Sequence, residues 1–120
     1  MIVRETLAPD AREVSLVQSR DHSFRFQRRL NPGESTDRGP DSQLQSILTP
    51  PLWIRLQRKG NVFSAYYHPD GVSTWTPAGV PGEVTVNMAS NVFIGLALTA
   101  HNNNGQLATA TFDNVTVIPG

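Results

Sequence analysis

Three kinds of residue in this chain could do chemistry: scattered carboxylates, three histidines, and aromatic side chains interleaved with arginine. Carboxylate-assisted hydrolysis needs two acids facing one another across a substrate bond. Glu5, Glu13, Glu34 and Glu83 are isolated along the chain, and Asp113 stands next to Asn114 in a strand pattern, so no local spacing sets up such a pair. No serine has a His and an acid at a suggestive spacing, although a triad is defined by geometry and not by chain order. His22, His68 and His101 fall in three different turns, which is the ordinary setting of a surface histidine. Hard oxygen ligands are offered by Asp70, Asp113, Asn114 and the Asn102 to Asn104 loop, a set that suits structural calcium. The competing reading is that the Asn loop serves positive-φ turns and that Asp113 binds backbone amides at a sheet corner.

The aromatic set is the most suggestive. Trp53, Tyr66, Tyr67 and Trp75 are flat platforms, and Arg4, Arg55 and His101 are planar hydrogen-bonding partners. Stacking plus a few placed polar groups is the chemistry that holds a sugar ring. Each aromatic taken singly also reads as core. Neighbouring residues of a strand point to opposite faces, so only one of Tyr66 and Tyr67 can line a groove. Trp75 follows an open turn and is the best exposed candidate. Arg4 and Arg55 sit mid-strand between apolar neighbours, where a cross-strand ion pair such as Arg55 with Glu5 would account for them. The binding set is therefore Arg4, Arg55, Tyr67, Trp75 and His101, with no catalytic residue and no metal ligand assigned.

The elements that must position these residues are extended. Leu52 to Gln57 alternates, with Trp53 and Arg55 on one face and Ile54 and Leu56 on the other. Lys59-Gly60-Asn61 is a turn, Val62 to His68 is a second aromatic and β-branched run, and Pro69-Asp70-Gly71 is another turn leading to a third extended segment through Trp75. Two apolar runs joined by a short Gly/Asn turn are a strong hairpin signal. Arg12 to Ser19 and His22 to Arg29 form a further hairpin around Ser19-Arg20-Asp21, with Val14, Leu16, Phe24 and Phe26 inward. Ile2 to Thr6, Leu44 to Leu48 and Glu83 to Asn87 read as short strands, Leu30 to Gln43 as an exposed loop, and Thr76 to Gly82 as turns. Asn91 to Ala100 is nearly continuous apolar sequence and reads as a strand buried on both faces in the middle of a sandwich. Ala108 to Ile118 reads as the last strand. Nothing shows helical periodicity with caps, so the fold class is all-β, an antiparallel sandwich or barrel.

Composition bounds the rest. The chain has 120 residues, which suits a single domain, 1–120. Lys and Arg total 10 and Asp and Glu total 10, so no global charge draws it to nucleic acid or to an anionic membrane. Two local clusters, Arg25 with Arg28 and Arg29, and Arg55 with Arg58 and Lys59, could touch phosphate or sugar or could be solvated strand faces. The absence of cysteine excludes disulfides and thiolate metal sites. No run approaches a membrane helix, and Met1-Ile2-Val3-Arg4-Glu5 enters a charged strand pattern with no signal peptide.

Read together, WIRLQRKGNVFSAYYHPDG, VFIGLALTAHNNNG and ATFDNVTV resemble the concanavalin A-like lectin/glucanase superfamily. More narrowly they resemble its "regulation of enolase protein 1-like" (DUF1349) domains, and IVRETLAPDAREVSLV is similar to that family's G-V-M-I-R-E-S-L strand and its successor. The resemblance covers most of the chain through the order and spacing of these segments. It implies a concanavalin A-like jelly-roll β-sandwich with a concave sheet. It also implies a non-catalytic carbohydrate-binding or accessory module of a secreted bacterial protein, extracellular or at the cell surface, with a glycan partner. The superfamily's glycosidases carry an E-x-D-x-x-E-like run that is missing here, so a degenerate glycoside hydrolase is the weaker alternative. Two departures stand out. Val72-Ser73-Thr74-Trp75 holds one extra residue after the D-G turn. Family members also carry several strands before the segment that opens here, so a sandwich without them is expected to complete its sheets by homo-oligomerisation. That makes a structural self-association module the alternative function.

Overall fold

The computed structural model describes residues 1–19, 24–37, 48–79, 82–102 and 104–120. His22, most of the Leu44 to Leu48 strand, the Arg20-Asp21 turn, the end of the Leu30 to Gln43 loop, Val80, Pro81 and Asn103 lie outside the described residues. Among those described there is no helix. The strands are β1 (Ile2–Arg4), β2 (Glu13–Gln18), β3 (Phe24–Arg29), β4 (Leu52–Lys59), β5 (Val62–Pro69), β6 (Thr76–Pro77), β7 (Glu83–Thr85) and β8 (Phe93–Gly95). They form two four-stranded antiparallel sheets, the layering of a β-sandwich. One sheet runs β3-β2-β1-β8. In the other, β5 is central, with β4 along one edge and both β6 and β7 along the other.

Each sheet buries one side of an alternating strand, as period-2 patterning requires. From the first sheet come Val3, Val14, Leu16, Phe24 and Phe26; from the second come Phe63, Ala65 and Tyr67, with Ile54 and Leu56 packed behind them. Both sets belong to one core cluster, and Phe24 meets Tyr67 edge to face across the layers at 5.4 Å.

The β4–β5 hairpin has a two-residue loop, Gly60-Asn61, with Gly60 at φ 62°. Glycine at the first loop position with positive φ is the type II′ pattern, whose twist matches that of the flanking strands. This turn fixes the whole register: Lys59 opposes Val62, Arg55 opposes Tyr66, and Trp53 opposes His68. The next turn closes through the Val72 N–H donating to the Pro69 carbonyl at 3.2 Å, and the chain returns to pair Thr76 with Tyr67. Ala65 stitches the far edge, its N–H donating to Gly82 O and its carbonyl accepting from Ala78.

Several expectations fail. The third extended segment through Trp75 is not paired; the strand there is Thr76–Pro77, inside the stretch read as turns. Asn91 to Ala100 is not a central buried strand. Among the described residues only Phe93–Gly95 pairs, with β1 alone, and Phe93 and Ile94 are 51% and 54% exposed. A strand buried on both faces needs neighbours on both edges and a layer above and below, and this one has β1 on a single edge. Ala108 to Ile118 forms no strand, and Phe112, Val115 and Ile118 are exposed.

Candidate functional site

The side chains of β4 and β5 that point away from the core make one continuous face. Its rows follow the register: Trp53 with His68, Arg55 with Tyr66 and Pro77, Gln57 with Ser64 and Glu83, and Lys59 with Val62 and Thr85. At the end nearest the Pro69-Asp70-Gly71 turn the rows become an aromatic cluster. Trp53 stacks on His68 with centroids 5.7 Å apart and planes 20° from parallel. Trp75, carried back by the turn, meets His68 edge-on at 4.4 Å. These rings and Gly71, Val72 and Ser73 line an open pocket of about 460 Å³.

Polar groups orient the cluster. Trp53 Nε1–H donates to Asp70 Oδ1 at 3.3 Å, which ties the indole to the turn. His68 Nδ1–H donates to the Pro69 carbonyl at 2.8 Å. A carbonyl can only accept, so this contact places the proton on Nδ1 and leaves Nε2 of a neutral imidazole as an acceptor. Arg55 is held over the Tyr66 ring at 4.5 Å and over the Trp75 ring at 4.6 Å. The face thus combines flat apolar surfaces with an acceptor and a guanidinium, the inventory for stacking on a ring and hydrogen-bonding its substituents.

Of the five residues nominated from sequence, Arg55 and Trp75 come together here. The other three do not. Tyr67 is 9% exposed and lies in the core against Phe24; Tyr66, its neighbour, faces the site instead, because alternation sends adjacent side chains to opposite sides. Arg4 is on β1 in the other sheet, donating to Ala8 O at 2.6 Å and lying 3.8 Å from Glu13. His101 sits in an exposed turn at φ 49°, its N–H donating to Thr99 Oγ1. The expected Arg55–Glu5 pair is absent: Glu5 accepts from Arg12 at 2.8 Å and from the Ala89 N–H at 3.0 Å. These bonds, Arg12 first, hold the Glu5 carboxyl below its ordinary range. His68, the end of the extended run Val62 to His68 in sequence and grouped there with the turn histidines, lies within β5 opposite Trp53 and belongs to the site although it is not among the five.

The remaining nominated chemistry is dispersed. Asp70 is engaged by Trp53, and Asn102 is occupied within its own turn, its amide donating to Ala100 O and its Oδ1 accepting from the Asn104 N–H. Among the described residues no three His, Asp or Glu side chains gather as a metal site. Within the arginine clusters, Arg29 donates to the Pro9, Ala11 and Glu34 carbonyls, Arg28 pairs with Asp37 at 3.0 Å, and Arg58 donates to the Gly60, Met88 and Ala89 carbonyls. Their work is to tie loops to strands. Comparison with protein-family models, with curated proteins and with solved structures gives no match to this chain.

Proposed function

We propose that this chain is a non-catalytic carbohydrate-binding module, built on a concanavalin A-like jelly roll and belonging to a secreted or surface protein of bacterial type. The observation that supports this reading is the solvent face of β4 and β5, where Trp53, His68 and Trp75 form an open aromatic pocket beside Arg55. A sugar ring laid against these rings buries its apolar C–H face, while His68 Nε2 and Arg55 accept from and donate to its oxygens. Such a shallow site gives weak, reversible binding, which suits a module that keeps a larger protein near its substrate. The test is tryptophan fluorescence during titration with a broad oligosaccharide panel. The expected result is saturable quenching by at least one oligosaccharide, lost in Trp75→Ala and kept in Arg4→Ala. Absence of binding across the panel, or binding that survives Trp75→Ala, would sink the proposal.

One observation favours a second reading, self-association. Beyond β8 in the chain, Leu96, Leu98, Leu107, Phe112, Val115 and Ile118 are exposed, and among the described residues β8 pairs with β1 alone. Exposed apolar side chains at an unpaired edge invite another strand. Light scattering at two protein concentrations tests this: a monomer at both removes the reading, and a dimer or larger assembly upholds it.

A further inference from the structure

We infer that the sugar taken by the β4–β5 face is an acidic one, a uronic acid unit whose carboxylate is gripped by Arg55; this inference rests on the carbohydrate reading above. Arg4, Arg12, Arg29 and Arg58 each donate to backbone carbonyls, and Arg4, Arg12 and Arg29 also lie against carboxylates. Arg55 does neither. Its guanidinium touches the rings of Tyr66 and Trp75, and among the described residues no acceptor or carboxylate is within hydrogen-bond or ion-pair range of it.

Ring contacts use the charge and leave the N–H donors unspent. A guanidinium has five of them in a planar fork, and it is more weakly hydrated than an ammonium. Two parallel N–H donors match the two oxygens of a carboxylate, which gives short, charge-assisted, bidentate bonds. Tyr66 and Trp75 hold Arg55 in place, so little side-chain freedom is left to lose when the anion arrives. Arg55 also lies one row from the Trp53–His68 stack, about 7 Å by the spacing of alternate side chains on one strand face. A pyranose ring on the aromatic pocket therefore brings a ring substituent within reach of it.

The other charges on this face direct the anion to Arg55. Asp70, at the turn end, is bonded to Trp53 and repels a second carboxylate there. Glu83 shares the row of Gln57 and Ser64 on the opposite edge, and Lys59 lies one row beyond. The carboxylate thus meets a cation between two acidic margins, which sets an orientation as well as a charge preference.

The experiment compares hexamers of galacturonate, glucuronate and mannuronate with their methyl esters and with neutral hexoses, by calorimetry at low salt. Esterification keeps the ring and removes only the charge. The expected result is that at least one acid form binds about tenfold tighter than its ester, the size of a charge-assisted contact. Arg55→Gln should abolish that preference, so that acid and ester bind alike, and Trp75→Ala should remove the binding of both. If esters or neutral oligomers bind as tightly as acids, or if Arg55→Gln keeps the preference, the acidic-sugar inference falls and the carbohydrate reading stands. If no acidic, esterified or neutral oligomer binds, both fall. A cooperative melt of Arg55→Gln well above the assay temperature shows that the variant is folded while its ligand preference is read.

Discussion

Replacing each of two adjacent tyrosines by alanine separates the two faces of β5. Tyr67 points into the core, where it is 9% exposed and meets Phe24 edge to face at 5.4 Å. Truncating a buried large aromatic costs about 3–5 kcal/mol, of which an aromatic pair supplies about 0.5–1.5 kcal/mol. Tyr66 points to solvent and is only half-buried; its specific contact is Arg55 at 4.5 Å. A cation–π contact at an exposed site is worth about 0.5–1 kcal/mol, so Tyr66→Ala should cost about 1 kcal/mol once the lost strand preference is included. With a urea m-value of about 2 kcal/mol/M, Tyr67→Ala lowers the unfolding midpoint by about 2 M and Tyr66→Ala by about 0.5 M. The readout is urea denaturation followed by circular dichroism, with m checked to be constant. A ranking in the opposite order would refute the assigned register, because a slip of one residue exchanges the two faces of the strand. It would also dissolve the proposed site, since Arg55, Trp53 and His68 would then face the core.

Further outcomes follow from other contacts. Gly82→Ala places a Cβ 2.9 Å from Pro77 Cβ and 3.2 Å from Gly79 O at φ 79°, so it should cost more than the roughly 1 kcal/mol of a positive-φ strain alone. Gly60→Ala, at φ 62° in open space, is the control, and equal urea midpoints for the two would contradict the close approach. Arg58→Ala removes donors to three carbonyls, those of Gly60, Met88 and Ala89. It should cost about 2 kcal/mol and speed amide exchange around Val86 to Ala89, and unchanged exchange there would count against the tether. Glu5 has its folded-state pKa depressed by Arg12 and the Ala89 N–H, so its stabilisation is fully present above the ordinary carboxyl value of 4.5 and is lost as pH falls through the lower folded value. The stability gap between the wild type and Glu5→Gln should therefore be wide at neutral pH and narrow in acid, and a gap constant with pH would remove the argument.

The hairpins were legible because their information is local. The sequence places the turn at Lys59-Gly60-Asn61; the structure closes it on Gly60-Asn61 alone, and partners counted outward from that loop bring Arg55 beside Tyr66 and Trp53 beside His68. Alternation along Phe24 and Phe26 likewise told inward from outward. The choice between Tyr66 and Tyr67 was not local. Alternation says they differ, and only the opposing layer, with Phe24 behind Tyr67, says which is core. Arg4 and His101 were grouped with Arg55 because all three are planar donors. Sheet membership separates them, since Arg4 is in the other sheet and His101 follows β8.

By itself, then, the sequence determined an all-β chain, the pairing of its neighbouring strands into hairpins, and an aromatic and cationic stripe on one strand face. These depend on the period-2 backbone and on two-residue turn geometry, both of which act between near neighbours. The tertiary structure decided which stripe is solvent, that a turn folds Trp75 back onto His68, that Glu5 is satisfied by Arg12 while Arg55 lies over the Tyr66 and Trp75 rings, and that the apolar run after Asn91 joins a sheet at its edge. Those outcomes turn on which distant strands pack face to face, and apolar periodicity records what a side chain can bury without naming the surface that buries it.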